Sequence, residues 1–286
     1  MNDTQTEFRP TQRTVATVFS SLAVRTAVAV AGIPLMIAAA YFGSWWLLAL
    51  VLALSVIGQI EFYAMVRAKG YQAQTGWGLA VGVAVVLAVS WGGLMFWGLA
   101  VALLLAAFCA QVIAPRRDHP VIALSATVFG VVYVPLLLAH MVLLRNISDL
   151  LGAKLLVLTF ALVWICDTAA YFTGMTLGRH PLAPAISPKK SVEGLAGGTL
   201  MTVGCAVAIR SWLMPELKFW EMLAIALGVS ALGVLGDLFE SLLKRDSGIK
   251  DSGAILPGHG GILDRFDSLL FAVPFVYWFC RLFVLR

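Results

Sequence analysis

Long apolar stretches with short polar breaks between them run along the chain from about residue 26 onward. The breaks carry glycine, proline and charge, which is typical of loops between helices. Since a helix needs about 20 apolar residues to cross a hydrocarbon core of about 30 Å, the pattern predicts an all-α polytopic integral membrane protein with about nine transmembrane helices. The candidate spans are 26–42, 45–66, 77–90, 94–114, 121–144, 155–174, 195–213, 219–243 and 268–285.

The composition agrees with this pattern. Of the 286 residues, 60% are hydrophobic and 12% are charged, whereas soluble domains carry about 25% charged residues. The mean hydropathy is +0.91. These values exclude a nucleic-acid-binding protein, a secreted disulfide scaffold and a large extramembrane enzyme domain. We predict a cytoplasmic N-terminal segment over residues 1–25 and a single membrane-embedded domain over residues 26–286.

Basic residues are divided unevenly between the two sides that nine alternating spans define. The side of the N-terminus receives 14 of the 20 lysines and arginines, and the other side receives 6. Because basic residues are enriched in cytoplasmic loops, we expect the N-terminus in the cytoplasm. The two longest loops, roughly 175–194 and 244–267, then face the cytoplasm as well.

Acidic residues concentrate near the end of the chain. Six of the 15 lie within 31 consecutive positions, and they are Asp237, Glu240, Asp246, Asp251, Asp264 and Asp267. A solvated loop would explain an ordinary charge run. Asp237, however, lies inside an apolar run, where an ionisable group is costly and therefore indicates function. With Glu240, Ser241 and Lys244 it falls on one face of a helix. A polar stripe is thus predicted to descend from the loop into the membrane.

The segment after this stripe is rich in glycine. Five glycines and a proline between Gly248 and Gly261 disfavour a stable helix, but they let backbone N–H groups approach an anion closely. Carboxylates and cations beside such a loop suit a metal-bound polyphosphate, because Mg²⁺ prefers oxygen ligands and basic side chains neutralise phosphate. We therefore expect a nucleotide as the ligand.

A second basic segment, from Ile186 to Gly194, precedes another apolar span. Hydroxyl and ammonium groups just before a helix start can form an anion site, because the first N–H groups of the helix lack partners. The alternative is positive-inside basicity with a helix N-cap at Ser191. Upstream, Asp167 and Tyr171 share a helix face, where either helix–helix hydrogen bonding or substrate contact would explain them.

Glu61 is a further ionisable residue within a span, two positions after Gln59. The two side chains would either form a hydrogen-bonding pair within the membrane or line a lipid cleft. We favour a structural role for Glu61 over a role in such a cleft.

The polar residues near the end of the chain form one long pattern. It reads Ser241-x-x-Lys244-Arg245, four residues, Lys250-Asp251, then Pro257-x-His259-Gly260-Gly261-x-x-Asp264-Arg265-x-Asp267. This pattern resembles, without departure, the motif of the phosphatidate cytidylyltransferases, also called CDP-diacylglycerol synthases. Ser187-Pro-Lys-Lys-Ser-x-Glu-Gly194 and Asp167-x-x-Ala-Tyr171 resemble the same family. The likeness extends to the length and helix count of the whole chain.

The resemblance implies a reaction of CTP with phosphatidate that gives CDP-diacylglycerol and pyrophosphate, and it makes 26–286 a catalytic domain. The lipid phosphate, already ionised at neutral pH, would attack the α-phosphorus of CTP, so the site must bring two anions together and stabilise the leaving pyrophosphate. The implied catalytic residues are Asp237, Asp264, Lys250, Asp251 and Arg265. The implied substrate-binding residues are Ser187, Lys189, Lys190, Ser191, Ser241, Lys244, Arg245, His259, Gly260 and Gly261.

The resemblance also implies a cofactor and a location. It places Mg²⁺ on Asp237 and Asp264, with Asp246, Asp251 and Asp267 as weaker candidates, and it leaves open a second, monovalent or divalent, cation. The implied partners are CTP and phosphatidate in the bilayer and no nucleic acid, while a homodimer is left open. The protein would be a multi-pass protein of a bacterial-type inner (cytoplasmic) membrane, with its active site facing the cytoplasm.

Other functions compete with this interpretation. A CTP-dependent lipid kinase of the dolichol kinase type would direct attack to the γ-phosphorus and release CDP instead of pyrophosphate. A secondary transporter would bind coupling ions on intramembrane carboxylates, and it predicts polar residues in several spans and a two-fold internal repeat. The sequence shows no such repeat. An inactive scaffold is disfavoured because every charged position of the motif is intact.

Overall fold

The computed structural model describes residues 30–113, 119–253 and 260–285, and most of these residues are helical. Residues 1–25 and His259 lie outside the described residues. The helices are α1 (Val30–Phe42), α2 (Ser44–Ala68), α3 (Thr75–Trp91), α4 (Leu94–Ile113), α5 (Pro120–Val131), α6 (Leu137–Arg145), α7 (Gly152–Leu177), α8 (Val192–Leu213), α9 (Phe219–Asp246) and α10 (Leu263–Phe279). Two π-helical stretches, Val132–Leu136 and Cys280–Val284, extend α5 into α6 and continue α10.

Seven helical segments of the described residues are long and apolar enough to cross a membrane. One of them, Pro120–Arg145, runs continuously through α5, the π-helical stretch and α6. The apolar helices α1 and α3 are shorter. The all-α polytopic membrane fold is therefore confirmed. The number of nine crossings stays a prediction, because it depends on α1 and α3.

Contacts between helix ends gather the main polar loops at one end of the bundle. Lys69, just after α2, forms an ion pair with Asp246 at the end of α9. Arg245 Nε donates a hydrogen bond to the carbonyl oxygen of Ile186, 3.3 Å away, in the connection between α7 and α8. We call this end, which carries the loops after α2, α7 and α9, the motif end.

The other end of the bundle, which we call the opposite end, is defined in the same way. Arg145 Nε donates to the carbonyl oxygen of Ala40 over 2.6 Å, so the ends of α6 and α1 meet. Lys154 Nζ lies 2.9 Å from Glu216 Oε1, and this hydrogen bond holds the pKa of the exposed Glu216 carboxyl below its ordinary value. Arg145 and Lys154 thus lie at the end opposite Lys69 and Arg245, as the alternating spans predict.

Exposed tryptophans line the opposite end. They are Trp45, Trp46, Trp91, Trp97, Trp212, Trp220 and Trp278. Trp45 and Trp91 pack edge to face with ring centroids 5.4 Å apart, which joins the start of α2 to the end of α3. Tryptophan favours the membrane–water interface because its ring is apolar and its N–H is polar. The opposite end therefore has the surface of a helix bundle that ends at a membrane interface.

A small β-hairpin, which the sequence analysis did not predict, lies at the motif end. Strand β1 (Pro181–Ala183) pairs antiparallel with strand β2 (Ser187–Ser191). Pro184 and Pro188 disfavour a helix here, because proline lacks a backbone N–H donor. The hairpin presents the basic segment on an ordered strand instead of a loop.

The helices that carry this hairpin are packed closely. A Cβ added to Gly198 of α8 would lie 2.9 Å from both Ala170 Cβ and the carbonyl oxygen of Cys166 in α7. Only glycine allows the two backbones to approach this far. The peripheral helix α4, by contrast, buries only Ala100 and Ala107. The tight packing of α7 against α8 fixes the hairpin relative to the core.

Candidate active site

The predicted polar stripe is present on the last turns of α9. Ser241 Oγ lies 3.4 Å from Asp237 Oδ1, and Glu240 is fully buried. Glu240 Oε2 is 2.5 Å from Lys244 Nζ, one helical turn further along. From the motif end towards the interior, the stripe therefore carries a basic group, Lys244, and then acidic groups, Glu240 and Asp237.

Lys244 joins this stripe to the glycine-rich segment. Its Nζ lies 2.5 Å from Glu240 Oε2 and 2.6 Å from Asp264 Oδ1, and its side chain is 13% exposed. An ammonium group has three N–H donors, so two carboxylates leave one donor for a further acceptor. Lys244 is thus held in place by protein groups and retains one donor for a phosphate oxygen.

Asp264 organises the backbone on both sides of the loop that carries the motif. Its Oδ2 accepts hydrogen bonds from Gly261 N at 2.7 Å, Ser252 N at 3.0 Å and Ser252 Oγ at 2.9 Å. Gly260 has a φ of 81°, a conformation that favours glycine, and a Cβ there would lie 2.6 Å from Asp264 Oδ2. Gly260 and Gly261 therefore allow the backbone to approach this carboxylate closely.

Glu61 reaches the same segment from α2. Its oxygens accept from Ile262 N and Leu263 N, each at 2.9 Å, and from Ser252 Oγ at 3.2 Å. These contacts agree with a structural role for Glu61. It does not pair with Gln59, whose Nε2 donates to the carbonyl oxygen of Gly78 at 3.0 Å.

The hairpin contributes the second half of the site. Lys190 Nζ lies 2.6 Å from Asp237 Oδ2, which connects β2 to α9. Ser191 Oγ accepts from Gly194 N at 3.1 Å, so the predicted helix N-cap is confirmed. The anion site at this helix start stays a prediction.

Glu193 fixes the base of the hairpin. Its carboxylate accepts from Arg179 N at 3.0 Å and His180 N at 3.2 Å, and lies 2.5 Å from His180 Nδ1. Since Glu193 belongs to the first turn of α8, these contacts tie the residues before β1 to the helix that follows β2. Lys189 and Lys190 are thereby held at a defined position.

Further acidic groups surround Asp237. Asp267 interacts electrostatically with Asp237, Glu240 and Asp167, and Asp167 interacts with Lys190 as well. Tyr171 is exposed. The acidic groups of α7, α9 and α10 therefore converge around the stripe.

The structure does not bring all predicted site residues into contact. Lys189, Arg245, Lys250, Asp251 and Arg265 are exposed at the motif end, whereas Ser187 is half-buried on β2. The assignment of these exposed basic side chains to phosphates stays a prediction. His259 lies outside the described residues.

The implied Mg²⁺ can be tested against the donor groups present. Asp237 and Asp264 offer carboxylate oxygens, which Mg²⁺ prefers, but each is next to an ammonium group. Among the residues that the structure describes, no three His, Cys, Asp or Glu side chains form a group that could hold a metal ion. Mg²⁺ is often bound by one or two carboxylates together with water and substrate phosphates. The two carboxylates fit that mode of binding.

The site lies at the depth of a membrane surface. Asp237 is 18 residues beyond Phe219, where α9 begins at the opposite end, which is about 27 Å along the helix axis. Asp264 is 17 residues before Arg281 at the end of the last span, or about 25 Å. Because the hydrocarbon core is about 30 Å thick, a bilayer spanned by these helices would place both carboxylates near the level of lipid headgroups at the motif end.

Sequence reasoning missed two polar residues near this site. Ser252 is buried and connects Glu61 with Asp264; its place within the motif segment was the only signal. Tyr133, in the π-helical stretch Val132–Leu136, is buried, and its hydroxyl has no hydrogen-bond partner among the described residues. It interacts electrostatically with Glu240. Because Tyr133 lies in an apolar run, the sequence does not indicate its position beside Glu240.

Comparison with known proteins identifies the family. Residues 23–283 match the family model described as "Cytidylyltransferase family". A phosphatidate cytidylyltransferase of Bacillus subtilis (strain 168) is 43% identical over 152 residues, which are 53% of this chain and 56% of that protein. The phosphatidate cytidylyltransferase of Staphylococcus aureus (strain COL) is 46% identical over 123 residues, or 43% of this chain and 47% of that protein. The chain thus spans about half the length of the curated relatives it matches. Since the family match covers nearly the whole sequence, the chain belongs to the cytidylyltransferase family.

Proposed function

We propose that this chain transfers a cytidylyl group from CTP to phosphatidate, giving CDP-diacylglycerol and pyrophosphate. The observation that carries the proposal is that two acid–base pairs, Lys190 with Asp237 and Lys244 with Asp264, lie on the last turns of α9, which helix length would place at the depth of lipid headgroups. A phosphate on a lipid reaches this depth without leaving the bilayer, and a nucleotide reaches it from the water. The relatives named phosphatidate cytidylyltransferases support the same reaction.

The reaction fits the chemistry of the site residues. A phosphate oxygen of the lipid forms a new bond to the α-phosphorus of CTP, and the bond from that phosphorus to the bridging oxygen of pyrophosphate breaks. The nucleophile is an ionised phosphate, so no side chain has to remove a proton from it. What the protein must supply is close approach of two anions and stabilisation of the leaving group.

The basic side chains would supply most of that stabilisation. Lys244 keeps one donor for a phosphate oxygen, and its position is fixed by two carboxylates. Lys190 is fixed by one carboxylate and lies on the strand before the N-terminus of α8, whose first N–H groups attract anions. Further basic side chains, Lys189, Arg245, Lys250 and Arg265, are exposed at the motif end.

Asp237 and Asp264 would hold Mg²⁺, which neutralises charge on a bound triphosphate. Lys190 and Lys244 lie beside the same two carboxylates. The motif end would face the cytoplasm, where CTP is present, in the inner membrane of a bacterium. The excess of basic residues at the motif end supports this orientation.

The products in solution test the proposal. Purified protein in detergent is incubated with CTP, phosphatidate and Mg²⁺, and the release of pyrophosphate and of CDP is measured over time. We expect pyrophosphate release that requires phosphatidate. Release of CDP in place of pyrophosphate would instead indicate attack on the γ-phosphorus, and release of neither would contradict the cytidylyl transfer.

A further inference from the structure

Glu61 is a buried charge whose hydrogen-bond partners come from one short segment. Glu61 is 3% exposed. Burial of a carboxylate is costly unless hydrogen bonds compensate for the lost hydration. The compensation comes from Ile262 N, Leu263 N and the hydroxyl of Ser252. Ile262 and Leu263 begin α10, so a carboxylate there also interacts favourably with the helix N-terminus.

The segment is shaped around this carboxylate. A Cβ added to Gly253 would lie 2.6 Å from Glu61 Oε1, and one added to Gly261 would lie 2.5 Å from Glu61 Oε2. The Cβ at Gly261 would also lie 2.1 Å from Ser252 Oγ. These distances are too short for any side chain, so the backbone on both sides of the motif loop closes on Glu61.

Ser252 connects Glu61 to the proposed reaction site. Its Oγ is 2.9 Å from Asp264 Oδ2 and 3.2 Å from Glu61 Oε2. A hydroxyl has one proton, so it donates to one of the two carboxylates at a time while staying between them. Asp264 in turn binds Lys244 of α9. A continuous chain of contacts thus runs from α2 through the loop to the polar stripe.

We propose that Glu61 is a positioning residue that holds Ser252 and the start of α10 (Ile262 and Leu263), and with them Asp264, in the geometry needed for nucleotidyl transfer. The activity part of this inference rests on the proposed function, but the structural part does not. Glu61 touches no reacting group in this account. It acts through the backbone of the loop and the start of α10.

The experiment compares Glu61→Gln with Tyr63→Phe in purified, detergent-solubilised full-length protein. In Glu61→Gln an amide nitrogen replaces one acceptor oxygen, so at least one backbone N–H at the start of α10 loses its partner. Tyr63→Phe removes a buried hydroxyl of the same helix, which bonds to the carbonyl oxygen of Thr127 at 2.9 Å, away from the motif loop. Backbone amide hydrogen exchange is followed by mass spectrometry, and the rate is measured as a function of Mg²⁺ concentration.

We expect amide exchange at Ser252 and in 260–263 to accelerate at least tenfold in Glu61→Gln and to stay unchanged in Tyr63→Phe. We also expect kcat to fall at least tenfold in Glu61→Gln, with a higher Mg²⁺ concentration for half-maximal rate, because Asp264 is displaced. A merely structural role would change the thermal unfolding of both variants without moving the Mg²⁺ dependence.

Several outcomes would overturn the proposal. Unchanged exchange at Ser252 and in 260–263 contradicts the contact chain, and accelerated exchange with wild-type kcat and Mg²⁺ dependence contradicts the positioning role. If Glu61→Gln does not fold, Ser252→Ala replaces it and must show the same two effects. If the wild-type protein transfers no cytidylyl group, the proposed function fails, and exchange at Ser252 and in 260–263 still decides whether Glu61 holds these residues.

Discussion

The ammonium group of Lys190 lies 2.6 Å from the carboxylate of Asp237. This contact joins the β-hairpin between α7 and α8 to α9. It places Lys190, a candidate phosphate-binding residue, beside Asp237, a candidate metal ligand. The basic hairpin is therefore part of the same site as the motif on α9, although some 47 residues of sequence separate the two.

The contact predicts that the activity depends on the shape of the cation at position 190. Lys190→Arg keeps the charge but replaces a compact ammonium by a larger planar group, and we expect kcat/KM to fall about tenfold or more, or about 1.4 kcal/mol. Lys189→Arg, at an exposed position, should have a smaller effect. Lys154→Arg at the opposite end, which keeps the ion pair with Glu216, is the matched control. Wild-type kinetics for Lys190→Arg would contradict a phosphate contact and would leave this lysine only a role in orienting the protein in the membrane.

Asp237 and Asp264 should each be essential for turnover. Asp237→Asn and Asp264→Asn remove a negative charge with little change of size, and we expect each to retain less than about a tenth of the wild-type rate, a loss above about 1.4 kcal/mol. Glu216→Gln at the opposite end serves as the control for loss of one carboxylate. Size-exclusion chromatography checks that each variant remains folded. Rates above a tenth of wild type in both aspartate variants would remove the metal assignment.

The close packing of α7 and α8 gives a test of stability. Gly198→Ala places a methyl group against Ala170 and the backbone of Cys166, and overpacking of this kind costs about 1–3 kcal/mol. Gly204→Ala, on the same helix, has nothing within 4 Å of the new Cβ and should be neutral or slightly stabilising, since alanine favours helix more than glycine does. Thermal unfolding in detergent compares the two, and equal unfolding temperatures would contradict the packing.

The proposed orientation predicts which residues are accessible from outside a cell. In a variant without the native cysteines, Ala185→Cys in the hairpin turn and Ser247→Cys after α9 should react with an impermeant thiol reagent only after the membrane is opened. Asp149→Cys, in the connection between α6 and α7 at the opposite end, should react in intact cells. Labelling of residue 185 or 247 from outside would place the site on the side that lacks CTP.

The helical architecture was predictable because it depends on a property of each segment alone. Apolar length decides whether a helix crosses the bilayer, and the described helices begin and end within a few residues of the predicted spans. The polar stripe was predictable for the same reason, since residues three and four positions apart share a helix face. Ser191 as an N-cap follows from local chemistry as well.

The contacts between distant parts of the chain were not predictable from these local rules. Glu61 and Ser252 are 191 residues apart, and no periodicity relates them. The β-hairpin was missed because its two strands are only three and five residues long and its sequence gives no alternation. Tyr133 was missed because burial of a hydroxyl depends on which helices surround it.

The labelled lipid product tests the central claim most directly. Purified protein, phosphatidate and Mg²⁺ are incubated in parallel with CTP labelled at the α-phosphorus and CTP labelled at the γ-phosphorus, and the lipids are extracted and identified by mass. The account predicts that only the α-label enters the lipid, which gains a cytidine monophosphate group. Transfer of the γ-label to lipid, or a lipid fraction with neither label, would contradict it.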